Sequence, residues 1–388
     1  MTPRPMVDDR LLNPEVVRPL GHGVYQIDTL FQRTDFDAAF LVVDDGHAAF
    51  IDTGTGLAVP RLLAALEALG LGREQVDWVI PTHVHLDHAG GVGPLMQHLP
   101  RARVLVHPRG ARHMIDPSAL YQGALAVYGQ AEMDRSYGTL VPVPAERVVE
   151  SEDGQQVPLG QRVLTLIDSP GHARHHHCIW DPVSRGWFTG DTFGLSYREF
   201  DIDGQPWVMP TTTPVQFDPS AMRQTIARLM ASQPECMYLT HYGRCAPVPP
   251  MATQLLALLD KVEALGLRLK NAPDRHQALR QGLSQIYRAS LLATGSTLPG
   301  EEIDRLLAMD IELNAQGMGV WLDKLGAPTS GLATSPPHAR VPGANTGASS
   351  DSLQEWLPST LALSVQRLVS EGRTLHQLVV GASRQGDL

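Results

Sequence analysis

The chain has 388 residues and a formal net charge of −10, a length that predicts one large domain with an appendage, or two domains. An acidic balance without a run of Lys or Arg argues against nucleic acid or an anionic membrane as a partner and favours a small-molecule substrate. The three cysteines are too few and too scattered for a disulfide framework or a cysteine-based zinc site, and without a signal-peptide-like or membrane-spanning stretch we expect a cytoplasmic protein.

The first eighty residues predict a strand-rich unit. Short apolar or β-branched runs at residues 24–27, 38–44 and 47–52 are separated by turn sequences and indicate a meander of strands. Leucines at helical spacing predict a helix over residues 58–69, which Gly70 ends. Residues 76–80 then form a buried strand in this prediction, so a strand, a helix and a strand precede the next stretch.

That stretch, residues 81–91, reads PTHVHLDHAGG and crowds three imidazoles and a carboxylate into six residues. Imidazole nitrogen and carboxylate oxygen are ligands that zinc, iron and manganese prefer. On an extended turn His83 and His85 point at one centre, and Asp87 and His88 then face a second. A solvated, His-rich loop does not require this spacing, so we interpret the stretch as a metal-binding loop.

Three later apolar runs are also followed by a histidine or an aspartate. Residues 163–168 lead into a His-rich segment with His172, residues 187–190 end at Asp191, and residues 237–240 end at His241. In α/β layers the chemistry is usually carried just past the ends of strands. Four predicted strand ends therefore carry candidate ligands.

Two other regions read as helical. Residues 111–137 predict a helical or lid-like segment whose Tyr121, Tyr128, Met133 and Tyr137 border a pocket or simply pack a helix, and the sequence leaves both open. Beyond Pro250 leucines recur at helical spacing, and their apolar stripe needs a partner surface. We therefore expect the extension to cap the metal face and shape the substrate pocket.

This organisation divides the chain into four predicted parts. They are a catalytic domain over residues 1–250, a helical extension over residues 251–326, a flexible linker over residues 327–350 and a C-terminal helical segment over residues 351–388. The linker prediction rests on a composition rich in Pro, Gly, Ser, Thr and Ala, which cannot bury enough apolar surface to be ordered alone.

The ordered pattern H-x-H-x-D-H, a distant His, an Asp and a last His resembles the metallo-β-lactamase-fold hydrolase superfamily. The resemblance covers about residues 20–245, and the sequence TGDT around Asp191 is closer to the glyoxalase-II-like branch than to true β-lactamases. Gly194 stands where lactonases carry a tyrosine. The resemblance implies an α/β (α+β) fold, the αββα sandwich of two mixed sheets, here with a C-terminal helical extension.

The resemblance also implies the site residues. It assigns Asp87 and Asp191 as the catalytic carboxylates, Asp52 as a residue that steadies a ligand, and His176 as a supporting residue, while His175 and His177 are expected to pack or lie on the surface. Two divalent metal ions are implied, with zinc as the first choice and iron or manganese as alternatives. The implied ligands are His83, His85 and His172 for the first metal, Asp87, His88 and His241 for the second, and Asp191 as the bridge.

The implied activity is that of a dinuclear hydrolase in which a metal-bridging hydroxide attacks an ester, thioester or lactone carbonyl. Two alternatives stay open at this point. One is an iron-containing, oxygen-handling protein, either persulfide-dioxygenase-like or a di-iron oxygen binder, because the same ligands accept iron. The other is a ligand-binding regulatory protein with incidental hydrolysis. A homodimer is also left open.

Overall fold

Two β-sheets form the centre of the protein in a computed structural model that describes residues 9, 12–212 and 216–326. The first sheet has seven strands that lie side by side in chain order. Strands β1 to β4 pair antiparallel and β4 to β7 pair parallel, so the sheet is mixed. Its strands are β1 (Arg18–Gly21), β2 (Val24–Asp28), β3 (Ala38–Asp44), β4 (His47–Ile51), β5 (Val76–Ile80), β6 (Arg103–Val106) and β7 (Val148–Glu150).

The second sheet has six strands, with the spatial order β13-β12-β11-β10-β9-β8. Only β11 and β12 pair parallel in it, and the other neighbours are antiparallel. This sheet is therefore mixed as well. Its strands are β8 (Gln156–Leu159), β9 (Arg162–Asp168), β10 (His177–Asp181), β11 (Gly186–Gly190), β12 (Cys236–Leu239) and β13 (Gly243–Cys245).

The two sheets pack face to face through aromatic side chains. The ring centroid of Phe40 in β3 lies 5.3 Å from that of Phe188 in β11 and 5.6 Å from that of Tyr238 in β12. Strand β3 is buried except at its last residue, Asp44, which explains its nearly continuous apolar sequence. With helices on the outer faces, the architecture is the predicted αββα sandwich.

Helices connect several of these strands along the chain. The predicted helix at residues 58–69 is present as α1, and Gly70 follows it with a φ of +67°, a conformation that glycine adopts without strain. The predicted lid-like segment is helical too, and it ends in a π-helical turn at Met133–Tyr137. The helices are α1 (Val59–Ala68), α2 (Leu86–Ala89), α3 (Val92–Met96), α4 (Pro108–Ile115), α5 (Ser118–Tyr128), α6 (Gln130–Glu132) and α7 (Pro219–Ala231).

The C-terminal extension consists of α8 (Val248–Leu269), α9 (Arg275–Ala293), α10 (Gly300–Leu306) and α11 (Ala308–Gly326). Helix α8 packs on α7, and α9 packs between α8 and α11. The leucine stripe of α8 is buried. Each fully buried side chain of this kind stabilises the fold by about 1.5–3 kcal/mol. The last part of the extension consists of the two helices α10 and α11, which meet at Leu307.

Two predictions fall outside the described residues, namely the linker at residues 327–350 and the helical segment at residues 351–388. The division of the chain into domains stays a prediction. Within residues 9, 12–212 and 216–326, no helix combines the length and the hydropathy that crossing a membrane requires.

Candidate metal centre

The seven predicted ligands come together at one edge of the sandwich. Strands β4 and β5 are parallel, as are β11 and β12, so the segments that follow each pair leave the sheets at a common edge. The turn after β5 carries two of the residues, α2 carries two, and the segments after β9, β11 and β12 carry one each. These residues are His83, His85, Asp87, His88, His172, Asp191 and His241.

Three histidines form what we call the first donor group, namely His83, His85 and His172. His83 Nε2 lies 2.8 Å from His85 Nδ1, and His172 Nε2 lies 3.2 Å from the same atom. The second donor group is Asp87, His88 and His241. In it Asp87 Oδ2 lies 3.7 Å from His88 Nε2 and 3.4 Å from His241 Nε2.

Asp191 lies between the two donor groups. Its Oδ2 is 3.5 Å from His172 Nε2, whereas its Oδ1 is 3.3 Å from His88 Nε2. One carboxylate oxygen thus faces each group. The preceding Gly190 has a φ of +46°, and a Cβ there would come within 2.6 Å of His176 Nε2, so only glycine fits this approach.

Asp52 and Thr82 orient two of the rings. The Asp52 carboxylate accepts hydrogen bonds from His88 Nδ1 at 2.9 Å, from the Thr82 backbone N–H at 2.6 Å and from the Thr240 hydroxyl at 2.8 Å. The Thr82 hydroxyl also donates to Asp52 and lies 3.2 Å from His83 Nδ1, so it accepts the hydrogen of that nitrogen. Asp52 therefore steadies a candidate ligand, as predicted.

Two further rings are oriented by residues outside the motif. His172 Nδ1 lies 2.8 Å from the hydroxyl of Thr211, which itself donates to the carbonyl of Asp191 at 3.1 Å. His241 Nδ1 donates to the carbonyl of Phe36 at 2.8 Å. With Nδ1–H engaged in this way, the Nε2 lone pairs point into the centre, which is the usual arrangement around a metal.

The first donor group favours neutral imidazoles. Burial, with a contribution from neighbouring imidazoles, lowers the pKa of His85 to about 3, and burial lowers the pKa of His172 to about 4 despite the nearby Asp191 carboxylate. Burial and the surrounding rings hold the pKa of His83 well below its usual value. At neutral pH these rings therefore offer lone pairs for a cation.

The second donor group is rich in opposite charges. Burial opposes charging of His88 and His241, but the carboxylates of Asp191 and Asp87 outweigh it, raising the pKa of His88 well above its usual value and that of His241 to about 9. In turn the two rings overcome burial and lower the pKa of Asp87 to about 2. The carboxylates are ionised at neutral pH and favour a cation at this position, where a metal ion would displace the Nε2 protons of the two rings.

The donor set fits a metal by two independent criteria. His88 Nε2 and Asp191 Oδ1 are buried and lie 3.3 Å apart, yet neither makes a hydrogen bond within the described part of the chain, which is costly unless another partner satisfies them. Tetrahedral coordination with bonds of about 2.0–2.2 Å separates neighbouring ligand atoms by roughly 3.3–3.6 Å. The four distances given above, 2.8 and 3.2 Å in the first group and 3.4 and 3.7 Å in the second, lie near that value.

The remaining histidines of the cluster have other partners. His176 Nε2 accepts from the Asp191 backbone N–H at 3.3 Å, so this residue supports the bridging position. His177 Nε2 donates to the carbonyl of Pro81 at 2.9 Å, and His175 is also buried. His175 and His177 thus pack within the core rather than at the surface.

Sequence reasoning missed several residues that support the centre. Thr82 and Thr240 each directly precede a candidate ligand, so their position was a usable signal. Thr211 and the carbonyl of Phe36 lie far from any motif, and no local pattern marks them. Their roles follow only from the packing of their loops.

The fold and the His/Asp centre define a class of metal-binding αββα proteins, and comparison places the chain within it. The family model described as "Metallo-beta-lactamase superfamily" matches residues 34–241, which is more than half of the chain. The protein therefore belongs to the metallo-β-lactamase superfamily. Candidate metal-binding groups of His and Asp, as described above, accompany this fold.

Three relatives illustrate the similarity. The metallo-beta-lactamase fold-containing protein ST1585 of Sulfurisphaera tokodaii is 29% identical over 194 residues, which cover 49% of this chain and 69% of that protein. Its crystal structure superposes on this chain with a TM-score of 0.52 and 21% sequence identity, over 77% of this chain and 98% of that one. Acyl-coenzyme A thioesterase MBLAC2 of Gallus gallus is 29% identical over 208 residues, which cover 49% of this chain and 69% of that protein. Atrochrysone carboxyl ACP thioesterase of Aspergillus fumigatus is 29% identical over 189 residues, which cover 48% of this chain and 47% of that protein.

Proposed function

We propose that the protein is a dinuclear metal-dependent hydrolase that cleaves the acyl bond of a small-molecule thioester, ester or lactone. The observation that carries this proposal is the pair of donor groups, each of three residues, with one oxygen of Asp191 directed at each. The anionic Asp87 and Asp191 offset part of the charge of two cations and so favour binding of both. Zinc is our first choice, with iron or manganese as alternatives.

Thioesters are the substrate class that we favour. Two relatives are named as thioesterases, one for acyl-coenzyme A and one for an acyl carrier protein substrate. In this chain Gly194 occupies the place where the resemblance to lactonases would require a tyrosine. Hydrolysis in general is shared by these relatives, and the thioester preference of this chain is our proposal.

The protein residues divide the chemistry between them. Bound divalent cations would supply a water-derived nucleophile at neutral pH and polarise the carbonyl under attack. The Asp87 side chain is 26% exposed, whereas that of Asp191 is 9% exposed, so substrate and water reach the centre from the side of Asp87. Because its pKa is about 2, Asp87 is ionised and accepts a hydrogen bond from the attacking water. As the water oxygen bonds to the carbonyl carbon, Asp87 would take the proton released by that water and give it to the sulfur or oxygen of the leaving group as the acyl bond breaks.

Three aromatic residues near Asp87, namely Phe31, Tyr128 and Tyr137, form what we call the aromatic wall. The rings of Tyr128 and Tyr137 are stacked with centroids 5.3 Å apart, and the ring of Phe31 lies 5.4 Å from that of Tyr137. Burial and the Asp87 carboxylate raise the pKa of Tyr128 to about 12, so its hydroxyl stays protonated as a hydrogen-bond donor. We propose that this wall receives the acyl group, with apolar contacts from the rings.

The test is hydrolysis by the purified full chain with a matched substrate pair. Metal content is measured first, and then turnover of an acyl-coenzyme A thioester and of an oxygen ester with the same acyl group. We expect about two metal equivalents per chain and faster thioester cleavage. Metal-loaded protein without turnover of either substrate would contradict the proposal, and iron content with a visible absorption band and oxygen uptake would favour the oxygen-handling alternative.

A further inference from the structure

The helical extension contacts the loop beside the metal centre through one buried amide. Asn314 in α11 is 2% exposed. Its Oδ1 accepts from the backbone N–H of Thr212 at 2.8 Å, and its Nδ2 donates to the carbonyl of Pro210 at 3.4 Å. The hydroxyl of Thr212 donates to the main-chain carbonyl of Asn314 at 2.8 Å. Asn314 therefore holds the loop on both sides of Thr211.

Thr211 is the residue of this loop that contacts the candidate ligands. As described above, its hydroxyl accepts from His172 Nδ1 at 2.8 Å and donates to the carbonyl of Asp191 at 3.1 Å. One side chain thus fixes a ring of the first donor group and the backbone of the bridging residue. A small displacement of Thr211 would change both contacts at once.

We propose that Asn314 is a positioning residue for the metal centre, which acts by clamping Pro210 and Thr212 so that Thr211 orients His172 and Asp191. This inference rests on the proposed function, because it takes His172 and Asp191 to bind metal. Partners that orient a ligand commonly change metal affinity about 10–100-fold when they are removed. Asn314 acts one residue further away, so its effect is at the lower end of that range.

The surroundings of Asn314 argue that its polarity serves the loop. Its neighbours Ala315 and Met318 in α11 are buried and apolar, and an apolar residue would pack there without a desolvation cost. A buried amide is costly unless its hydrogen bonds are made. Its Nδ2 also donates to the hydroxyl of Tyr287 at 3.1 Å, so the amide is satisfied on both sides and held in one orientation.

The same loop offers a matched control at a neighbouring contact. Trp207 Nε1 donates to the hydroxyl of Ser290 in α9 at 3.0 Å. This bond also joins the extension to the loop and is buried, but neither residue is hydrogen-bonded to a candidate ligand among the described residues. Ser290→Ala therefore removes an extension–loop hydrogen bond of the same kind without disturbing Thr211.

The experiment measures metal affinity in the full chain by competition between each variant and a zinc chelator, with the visible absorption of the Co²⁺-substituted protein as a second readout. We expect Thr211→Val to weaken zinc binding about 10–100-fold and Asn314→Ala about tenfold, each with an altered Co²⁺ spectrum. Ser290→Ala should bind zinc as the wild type does, although its Tm also falls.

Two outcomes would overturn the inference while leaving the proposed function intact. One is wild-type affinity in Asn314→Ala, and the other is an equal loss of affinity in Ser290→Ala, which would mean general destabilisation. If Asn314→Ala does not fold, Thr212→Ala removes a single hydroxyl and should weaken zinc binding by a few fold, and an unchanged affinity there overturns the inference equally. Wild-type protein that binds no zinc or Co²⁺ would overturn the proposed function as well.

Discussion

The two sheets contribute to the candidate centre in different ways. The seven-stranded sheet supplies four of the seven residues from the single stretch at residues 83–88, which directly follows Thr82 and contacts Asp52 at the end of β4. The six-stranded sheet supplies His172, Asp191 and His241 from three separate segments, supported by partners that are distant in sequence. The candidate ligands of one half are therefore neighbours along the chain, whereas those of the other half are brought together only by tertiary packing.

Removal of one residue from each half is the strongest test of this comparison. We expect His85→Ala and Asp191→Ala to lose metal and to lower turnover by about 10³-fold or more, since metal catalysis contributes several kcal/mol to the rate. Both residues lie in loops at strand ends, so the fold should stay largely intact. Metal analysis, turnover and circular dichroism check this expectation.

Asp191→Ala should reduce the metal content further than His85→Ala, because Asp191 faces both donor groups. Near two metal equivalents with unchanged activity in either variant would contradict the ligand assignment.

Removal of the extension tests how far the second half depends on distant residues. A chain ending at Pro250 loses Asn314 and uncovers Phe217, whose ring lies 5.8 Å from that of Trp321. Each large apolar side chain that is newly exposed costs about 1.5–3 kcal/mol, so we expect much lower stability and a raised KM. Denaturant unfolding, zinc content and KM are the measurements. Undiminished solubility, both metals and an unchanged KM would show that the extension neither packs on the centre nor shapes the pocket.

Asp52 joins the two halves, so its removal should disturb both. It accepts hydrogen bonds from His88 and Thr82 on one side and from Thr240, which precedes His241, on the other. Asp52→Ala leaves these buried donors without an acceptor, and we expect a loss of about 3–5 kcal/mol in the free energy of unfolding and weaker metal binding. Urea unfolding and chelator competition check this, with Asp52→Asn as the isosteric comparison. If Asp52→Ala lowered the affinity for only one of the two metal ions, Asp52 would not link the two halves.

A smaller effect is expected at Asp310, where the extension meets Tyr197 through a 3.0 Å hydrogen bond. Burial raises the pKa of Asp310 to about 6, although the hydrogen bond from Tyr197 partly opposes this shift. Because the unfolded value is about 3.9, the folded state binds more protons between pH 4 and 6. This carboxyl therefore lowers the free energy of unfolding as the pH rises through that window.

Asp310→Asn cannot ionise and should remove that pH dependence. Between pH 4 and pH 7 we expect the free energy of unfolding of the variant to rise by about 1–3 kcal/mol relative to that of the wild type. Urea unfolding at both pH values, with a chelator present so that metal loss does not contribute, measures the difference. Parallel pH profiles of the two proteins would contradict the assignment to Asp310.

The αββα class was predicted through the resemblance to the superfamily, whereas the sequence by itself indicated the α1 helix, the helical character of the extension and the strand ends that carry His and Asp residues. These features are local, since periodicity is visible within a few residues and imidazole and carboxylate donors are recognisable by type. Even so, the order of the ligand segments was recognised through resemblance to the superfamily, and the assignment of each residue to a metal stays a prediction.

Only the tertiary structure decided which atoms face one another. The direction of the His172 ring depends on Thr211, and the loop that carries Thr211 is held by Asn314, which lies in a helix a hundred residues further along the chain. A polar residue on the buried side of a helix carries no local sign of its partner. Its role arises from how separate segments pack, because hydrogen bonds between distant residues form only after the intervening chain has folded around them.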